Sequence, residues 1–230
     1  MKTSNKIFIT FLIFLLVGIT SLYIGSKYYG NLYDDPANFV KQEKPLPPFS
    51  VVVAEPSTIF SLKSEKENKI TQTYLKNTLP DIGSFLVRND TLFISSIQLK
   101  KGQVRHTSNL TYISCVKVKS IIIKENSNVR MEKFQADTLS VIMNKSNLHF
   151  RFENIASARI NAISSIVVLE GKNLKKIDLQ LDEQTTINIE TREGVQSISG
   201  SIKNKSYVDF SLNGKMSLDI DKSSRVYLKN

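Results

Sequence analysis

Short runs of alternating apolar and polar residues return along the C-terminal half of the chain. We take as anchors six apolar positions that lie 19, 18, 21, 21 and 18 residues apart: Val129, Leu148, Ile166, Ile187, Val208 and Val226. The residue two positions after each anchor is also apolar, and the residue between them is mostly polar. This is the period-two pattern of a half-buried β-strand. A repeat of about 20 residues is typical of a solenoid.

A hydroxyl group precedes every anchor by two positions. These residues are Ser127, Ser146, Ser164, Thr185, Ser206 and Ser224. A Ser or Thr side chain in a turn can hydrogen-bond its own backbone, and hydroxyls in stacked turns can bond from one coil to the next. We therefore predict a turn column formed by these six hydroxyls, beside a core column formed by the six anchors.

Stacking explains why the repeat returns. One unit cannot bury its apolar face alone, whereas stacked units place each apolar column over itself. The pattern predicts an all-β, right-handed parallel β-helix over residues 49–230, with regular repeats at 116–230. Runs of β-branched and aromatic residues at 49–115, broken by Pro and Gly, predict irregular N-terminal coils that cap the stack. The ambiguous segment 65–83 is interpreted as extended.

The N-terminus predicts one transmembrane helix, because no charged residue lies between Lys6 and Lys27. At about 1.5 Å per residue, this run is long enough to cross a bilayer. A cleaved signal peptide is the alternative, but the run exceeds the usual apolar region and no A-x-A site follows it. We predict an anchor at 1–26 with a cytoplasmic N-terminus, and a Pro-containing linker at 27–48. The body would lie in the periplasm on the inner membrane, or be exported if the segment is cleaved.

Charge and composition narrow the list of partners. The chain carries 31 basic and 21 acidic side chains, a formal net charge of +10, and no Trp. The basic excess is spread along the sequence without a cluster that interleaves aromatics, so nucleic acid is not an expected partner.

The last repeat, at Val226, leaves a strand edge that a second copy would cover, and a homodimer is therefore expected.

Candidate catalytic and metal-binding residues are few. His106 and His149 lie far apart without Cys partners, so no metal site is predicted. Cys115, the only cysteine, sits in an apolar strand and is interpreted as a buried, inert thiol. Asp219 and Asp221 form a same-strand carboxylate pair, the arrangement that a polysaccharide lyase or hydrolase would need. We predict no catalytic residues and no cofactor, and keep a β-helix enzyme of this type as the alternative.

Three segments carry a family resemblance: "MKTSNKIFITFLIFLLVGIT", "RNDTLFIS" and "SISGSIKNKSYVDFSLNGKMSLDI". They resemble the head-GIN domain family of "putative autotransporter adhesins" from Gram-negative envelopes. Of the family's repeated Ser-Gly signature the chain keeps Ser199-Gly200, while Asn, Lys and Ser replace its Gly-rich turns. The resemblance implies a parallel β-helix outside the cytoplasm.

Two "DTL" triplets, at Thr91 and Thr138, are similar to an O-glycosylation sequence of Gram-negative envelope proteins.

These patterns converge on a binding or structural role. We predict a non-catalytic, membrane-anchored envelope protein that presents the side of a β-solenoid to another protein, a glycan or a wall polymer. Regular outward columns without a catalytic cluster are the basis for this prediction.

Overall fold

An N-terminal helix precedes a body made of β-strands. The computed structural model describes residues 3–34, 36–76, 82–97 and 110–229. Helix α1 (Thr3–Asp34) contains a 24-residue stretch, Asn5–Tyr28, in which no residue is buried and whose most apolar 18 residues have a mean hydropathy of 2.6. At about 1.5 Å per residue the stretch is about 36 Å long, so this helix is long and apolar enough to cross a membrane.

Strands make up the rest of the described body. They are β1 (Phe39–Pro45), β2 (Val51–Ala54), β3 (Ile59–Ser64), β4 (Lys69–Leu75), β5 (Ile82–Arg88), β6 (Thr91–Ser96), β7 (Leu110–Cys115), β8 (Ser120–Ile123), β9 (Asn128–Asn144), β10 (Asn147–Ile163), β11 (Ile166–Asp182), β12 (Thr186–Thr191), β13 (Val195–Ile202), β14 (Tyr207–Phe210), β15 (Leu212–Ile220) and β16 (Arg225–Leu228). A short 3₁₀ helix, Pro36–Asn38, lies between α1 and β1. The predicted all-β solenoid with one N-terminal apolar helix is confirmed, with about six turns.

Each regular coil has two faces, which meet at a tight turn on one side and at a wide corner on the other. Strands β9, β10 and β11 run along the first face, bend at the wide corner and continue along the second face. The pairing of β11 shows this bend, because residues 166–171 pair with β12 and residues 174–181 pair with β13. The first face has the order β1-β4-β7-β3-β9-β10-β11-β12-β14-β16, and the second β5-β6-β2-β8-β9-β10-β11-β13-β15.

The apolar core lies between the two faces. Parallel pairing superposes one residue from each rung: Val129, Leu148, Val167, Ile187, Val208 and Val226. The first five are at most 2% exposed. Successive side chains of a strand point to opposite sides, so every second residue enters this core. Each fully buried aliphatic side chain stabilises the stack by about 1.5–3 kcal/mol relative to an exposed one.

The predicted core position Ile166 and turn position Ser164 are each wrong by one residue. Val167 and Ser165 occupy the two columns and are buried, whereas Ile166 is 55% exposed. The segment ISSIVVL allows two frames, because both serines precede a β-branched residue by two positions. The structure adopts the frame that also buries Leu169 in the core.

The N-terminal coils are stacked out of sequence order. On the second face β2 lies between β6 and β8, and on the first face β3 lies between β7 and β9. The chain therefore forms the coil β2–β3, then the outer coil β6–β7, and crosses back to β8 through residues 116–119. Antiparallel strands β1, β4 and β5 cover the outer edge. Covering an edge in this way prevents it from pairing with other chains.

The segment predicted as a linker, 27–48, is instead divided between α1 and β1. Helix α1 continues to Asp34, and β1 pairs with β4 over its whole length. Pro45 is tolerated because β1 is an edge strand, where a missing N–H can face solvent. The same pairing makes residues 69–75 a strand, in line with the extended interpretation of segment 65–83, of which residues 77–81 lie outside the described chain.

Candidate binding groove at the wide corner

The tight turns carry a buried column of hydroxyl groups. Its members are Thr58, Ser127, Ser146, Ser165, Thr185, Ser206 and Ser224, and the first six are at most 4% exposed. Backbone N–H groups donate to hydroxyls one rung away, from Ser146 to Ser165 at 3.3 Å and from Ser165 to Thr185 at 3.4 Å. Because burial separates these hydroxyls from solvent, the column holds the turns together and does not meet a ligand.

The residue before each of the first six hydroxyls has a left-handed backbone conformation. These residues are Ser57, Asn126, Lys145, Ser164, Gln184 and Lys205, with φ between 44° and 63°. Ser164 belongs to this set, which is why Ser165 supplies the buried hydroxyl of its turn. A non-glycine residue in this region is mildly strained. The hydroxyl that follows offsets the strain by bonding a turn carbonyl, as Thr185 Oγ1 does when it donates to Asp182 at 2.6 Å.

The outer side of the first face carries charges that are paired with each other. The Lys63 Nζ atom lies 3.6 Å from a carboxylate oxygen of Glu132. Arg151 Nε donates to Glu170 at 2.8 Å, and this hydrogen bond lowers the pKa of the Glu170 carboxyl. His149 Nε2 lies 3.0 Å from the same carboxylate. Exposed pairs of this kind contribute less than about 1 kcal/mol each, and they leave little unpaired charge for a ligand.

The carboxylate Asp221 is built into the last described turn. It accepts hydrogen bonds from the backbone N–H groups of Asn204 at 2.6 Å and of Ser223 at 3.0 Å. Hydrogen bonds from Ser224 and Asn204 hold the pKa of Asp221 well below its usual range. A carboxyl group with a lowered pKa is a poor proton donor, so Asp221 does not suit the role of general acid in glycoside hydrolysis.

Cys115 and the histidines add no chemistry to the described surface. Cys115 is fully buried, as predicted, and burial raises the pKa of its thiol to about 12. His149 lies on the outer side of the first face, and His106 lies outside the described residues. Among the residues that the structure describes, no group of three or more His, Cys, Asp or Glu side chains is placed to hold a metal ion.

A groove of about 620 Å³ follows the wide corner. Its walls come from the connection 116–119 and from the corners of β9, β10 and β11. Gln135, Asn154 and Asn173 occupy the same position on three successive rungs, so their amide groups form a ladder along the groove. The neighbouring Ile155 is buried in the core and fixes the position of the corner.

Three lysines line this groove, Lys117 and Lys119 from the connection and Lys175 from β11. All three are exposed, and within the described chain no carboxylate forms an ion pair with them. Asp137 is the one acidic residue in the lining, so the groove has a net charge of +2 (three minus one). Ammonium groups bind carboxylate or phosphate oxygens, and amides donate to and accept from sugar hydroxyls. The groove therefore suits an anionic, hydroxyl-rich ligand.

The groove continues onto the second face. An adjoining depression of about 270 Å³ shares Lys119 and Thr138 with it and extends past Ser157. Arg159 in this depression is 3.1 Å from Asp178, so its charge is already paired. The two depressions cross the same rungs, so together they form one cleft that extends from the wide corner onto the second face.

A second groove, of about 690 Å³, runs along the tight turns. Its charged lining residues are Glu183 and Lys205, which balance each other. The Glu183 carboxylate also accepts a hydrogen bond from Ser164 Oγ at 3.1 Å. This groove therefore lacks the net positive charge of the corner groove.

Sequence analysis missed the corner groove. It assigned residues 116–119 to the regular repeats and found no basic cluster. The structure ends β7 at Cys115 and begins β8 at Ser120, so Lys117 and Lys119 lie on the connection that crosses past a coil. Only folding brings Lys175 to them. The alternation Val-Lys-Val-Lys at 116–119 was the available signal.

The two triplets that resemble glycosylation sequences lie in different environments. Thr138 is exposed and lines the corner groove. Thr91 is half-buried at the start of β6, directly after a turn in which Asn89 and Asp90 both have positive φ. A sugar on Thr138 would occupy part of the corner groove.

The comparison with solved structures concerns the fold. Neither a family model nor a curated protein matches the chain. A "putative adhesin" from Bacteroides fragilis is 12% identical to it with a TM-score of 0.50, over 83% of this chain and 97% of that chain. The chain shares its fold with that protein. A "putative adhesin" from Parabacteroides merdae (10% identity, TM-score 0.43) and a "putative lipid binding protein" from Parabacteroides distasonis (12%, 0.41) each align over 85% of this chain and 98% of theirs. At these identities the likeness extends to the fold and not to a ligand.

Proposed function

We propose that this chain is a non-catalytic, membrane-anchored envelope protein that binds a polyanionic glycan or wall polymer along the corner groove. Helix α1 holds it in the inner membrane with the N-terminus in the cytoplasm and the body in the periplasm. Cleavage of the N-terminal segment would instead release the body for export. The observation that carries the proposal is the set of three unpaired lysines beside an amide ladder.

The exposure of α1 supports membrane anchoring. A helix that belongs to a soluble core buries its apolar side chains, whereas none of the residues in the Asn5–Tyr28 stretch is buried. An apolar surface of this length requires lipid. Lys6 and Lys27 lie near the two ends of this stretch, so the segment between them, 7–26, carries no charge and suits the bilayer core.

Contrast between the two sides of the body supports the location of the ligand site. The first face carries ion pairs on its outer side, while Lys117, Lys119 and Lys175 do not pair within the described chain. An unpaired ammonium group gives up only water when an anion arrives, whereas a paired one must also give up its partner. The fold shared with a "putative adhesin" is compatible with a binding role. We include membership of the head-GIN family in this proposal, on the basis of the sequence resemblance.

Binding of model polymers to the full chain in detergent micelles tests the proposal. Polygalacturonate serves as the acidic glycan and dextran as the neutral one, with biolayer interferometry as the readout. We expect the acidic polymer to bind and its affinity to fall as salt rises, because exposed charges are screened. At about 0.5–1 kcal/mol for each exposed contact, the triple variant Lys117→Ala/Lys119→Ala/Lys175→Ala should bind about tenfold more weakly or worse.

The chain offers a matched control. Lys203, Lys205 and Lys222 are equally exposed but lie at the tight turns. The triple variant Lys203→Ala/Lys205→Ala/Lys222→Ala has the same net charge as the groove variant and should change affinity by less than about threefold. An equal loss in both variants would show that net charge alone drives binding. Absence of binding to polygalacturonate and to purified envelope polymers would overturn the proposed function.

A further inference from the structure

The core is open at the C-terminal end of the stack. The inward-facing side chains of the last described coil are all apolar: Met216, Leu218, Ile220, Val226 and Leu228. Met216 and Ile220 are 47% and 40% exposed, whereas their partners one rung inside, Ile198 and Ile202, are 1% and 0% exposed. At the N-terminal end three antiparallel strands cover the edge, but no described strand covers this one. An apolar end of this kind calls for a partner.

The free edge of β15 also presents unpaired backbone groups. Asp221 donates its N–H to the carbonyl of Ile202 on β13. Peptide groups point alternately to the two sides of a strand, so the N–H and C=O groups of Met216, Leu218 and Ile220 point away from β13. A nine-residue edge strand without an inward-facing charge is long enough to pair with a strand of another chain.

The charges on the outer side of β15 identify the partner. Lys215 lies in the first half of the strand and Asp219 in the second half, and both are exposed. Antiparallel pairing of two copies about Ser217 places Lys215 of each copy opposite Asp219 of the other. Parallel pairing in register would place like charges together. A register centred on Leu218 would use Asp221 instead, whose oxygens already bond the turn.

We propose that two copies of this chain associate end to end, with β15 pairing antiparallel to β15 of the second copy about a two-fold axis at Ser217. Met216 and Leu218 then form hydrogen-bonded pairs across the interface, because both have free backbone groups. Lys215 and Asp219 fall in the closer, non-hydrogen-bonded positions, where Cα atoms lie about 4.5 Å apart. The association is isologous, since each copy contributes the same strand. It does not depend on the glycan site at the wide corner.

Disulfide trapping in membranes tests the register with the full chain. Ser217→Cys places two thiols at the symmetry axis, within the Cα separation that a disulfide spans. With copper phenanthroline as oxidant, we expect a product of twice the chain mass on a non-reducing gel. The control is Ser199→Cys, in the same outward column one rung inside. Its two copies would be about 14 Å apart, three strand spacings, and should not form a disulfide. The native Cys115 is buried and does not interfere.

Charge exchange tests the pairing independently. Lys215→Asp alone, or Asp219→Lys alone, should weaken dimerisation about tenfold, measured by sedimentation in micelles. The double variant Lys215→Asp/Asp219→Lys restores opposite charges and should return to within about threefold of the wild type. A monomeric wild type, equal trapping of Ser217→Cys and Ser199→Cys, or a double variant weaker than both single variants would each overturn the proposal.

Discussion

Two adjacent residues, Ile166 and Val167, should respond in opposite ways to the same substitution. The structure places Val167 in the core between Leu148 and Ile187, with no exposed surface, and leaves Ile166 55% exposed. Threonine suits both positions as a test residue because it is β-branched, like the residues it replaces, and has the shape of valine. The substitution therefore changes polarity while β propensity and volume change little at position 167.

The expected magnitudes differ enough to measure. Val167→Thr buries a hydroxyl among aliphatic side chains and should lower the free energy of unfolding by about 1–3 kcal/mol. Ile166→Thr changes a side chain that is half in solvent and should stay within about 0.5 kcal/mol of the wild type. With a urea dependence of about 2–3 kcal/mol per molar for a body of this size, Val167→Thr should shift the midpoint by about 0.5–1 M.

Urea unfolding of the full chain in detergent micelles, followed by circular dichroism of the strands, provides the assay. Helix α1 remains in the micelle and contributes a constant background. A larger loss of stability in Ile166→Thr than in Val167→Thr would restore the frame that places Ile166 in the core. Equal and large losses of stability would show that both side chains are buried, which would contradict a half-buried strand.

Three further predictions follow from single contacts. Gly200 has φ of 127°, and a Cβ there would lie 1.9 Å from the Leu179 carbonyl oxygen; Gly200→Ala should therefore destabilise the fold by at least about 1–3 kcal/mol, measured as a lower thermal midpoint. The pKa of Glu170 is lowered in the folded state, so its contribution to stability is present above its ordinary value of 4.5 and is lost as pH falls through the lowered value. Arg151→Gln should flatten that loss in urea midpoints measured against pH. Cys115 should resist maleimide at pH 8 until urea unfolds the chain, and rapid labelling of the native protein would contradict its burial.

The stacking of the coils could be predicted from sequence because two columns of residues, one apolar and one of hydroxyls, each indicate it. Apolar anchors and turn hydroxyls recur together, and each column restricts how the other can be aligned. The structure superposes Ser127, Ser146 and Ser165 at equal spacings of 19 residues, while later coils differ by one or two residues. Irregular pairing beside Val195, at the wide corner, takes up one residue of such differences.

The one-residue error at Ser164 shows what the pattern does not contain. Hydropathy distinguishes inside from outside, but two serines in a row leave two acceptable frames. The left-handed backbone at Ser164 decides between them, and backbone conformation is not visible in a hydropathy pattern when Ser, Lys, Asn and Gln all adopt it. Thr58 was missed for a similar reason, because its coil lies outside the regular spacing although its hydroxyl donates to Ser127 Oγ at 3.1 Å.

The corner groove depends on topology that local patterns do not encode. The connection 116–119 crosses past the coil formed by β2 and β3, and nothing in its residues specifies which coil it passes. Its lysines meet Lys175 only because of this crossing. Fold class therefore follows from periodicity, whereas the candidate site follows from the order in which the coils stack.

Lysine labelling with and without ligand tests the location of the binding site most directly. The full chain is acetylated in the presence and absence of polygalacturonate, and the modification of each lysine is read by mass spectrometry. We expect polygalacturonate to protect Lys117, Lys119 and Lys175 from acetylation, while the acetylation of Lys203 and Lys205 at the tight turns is unchanged. Protection at the tight turns with the corner lysines still labelled would contradict it.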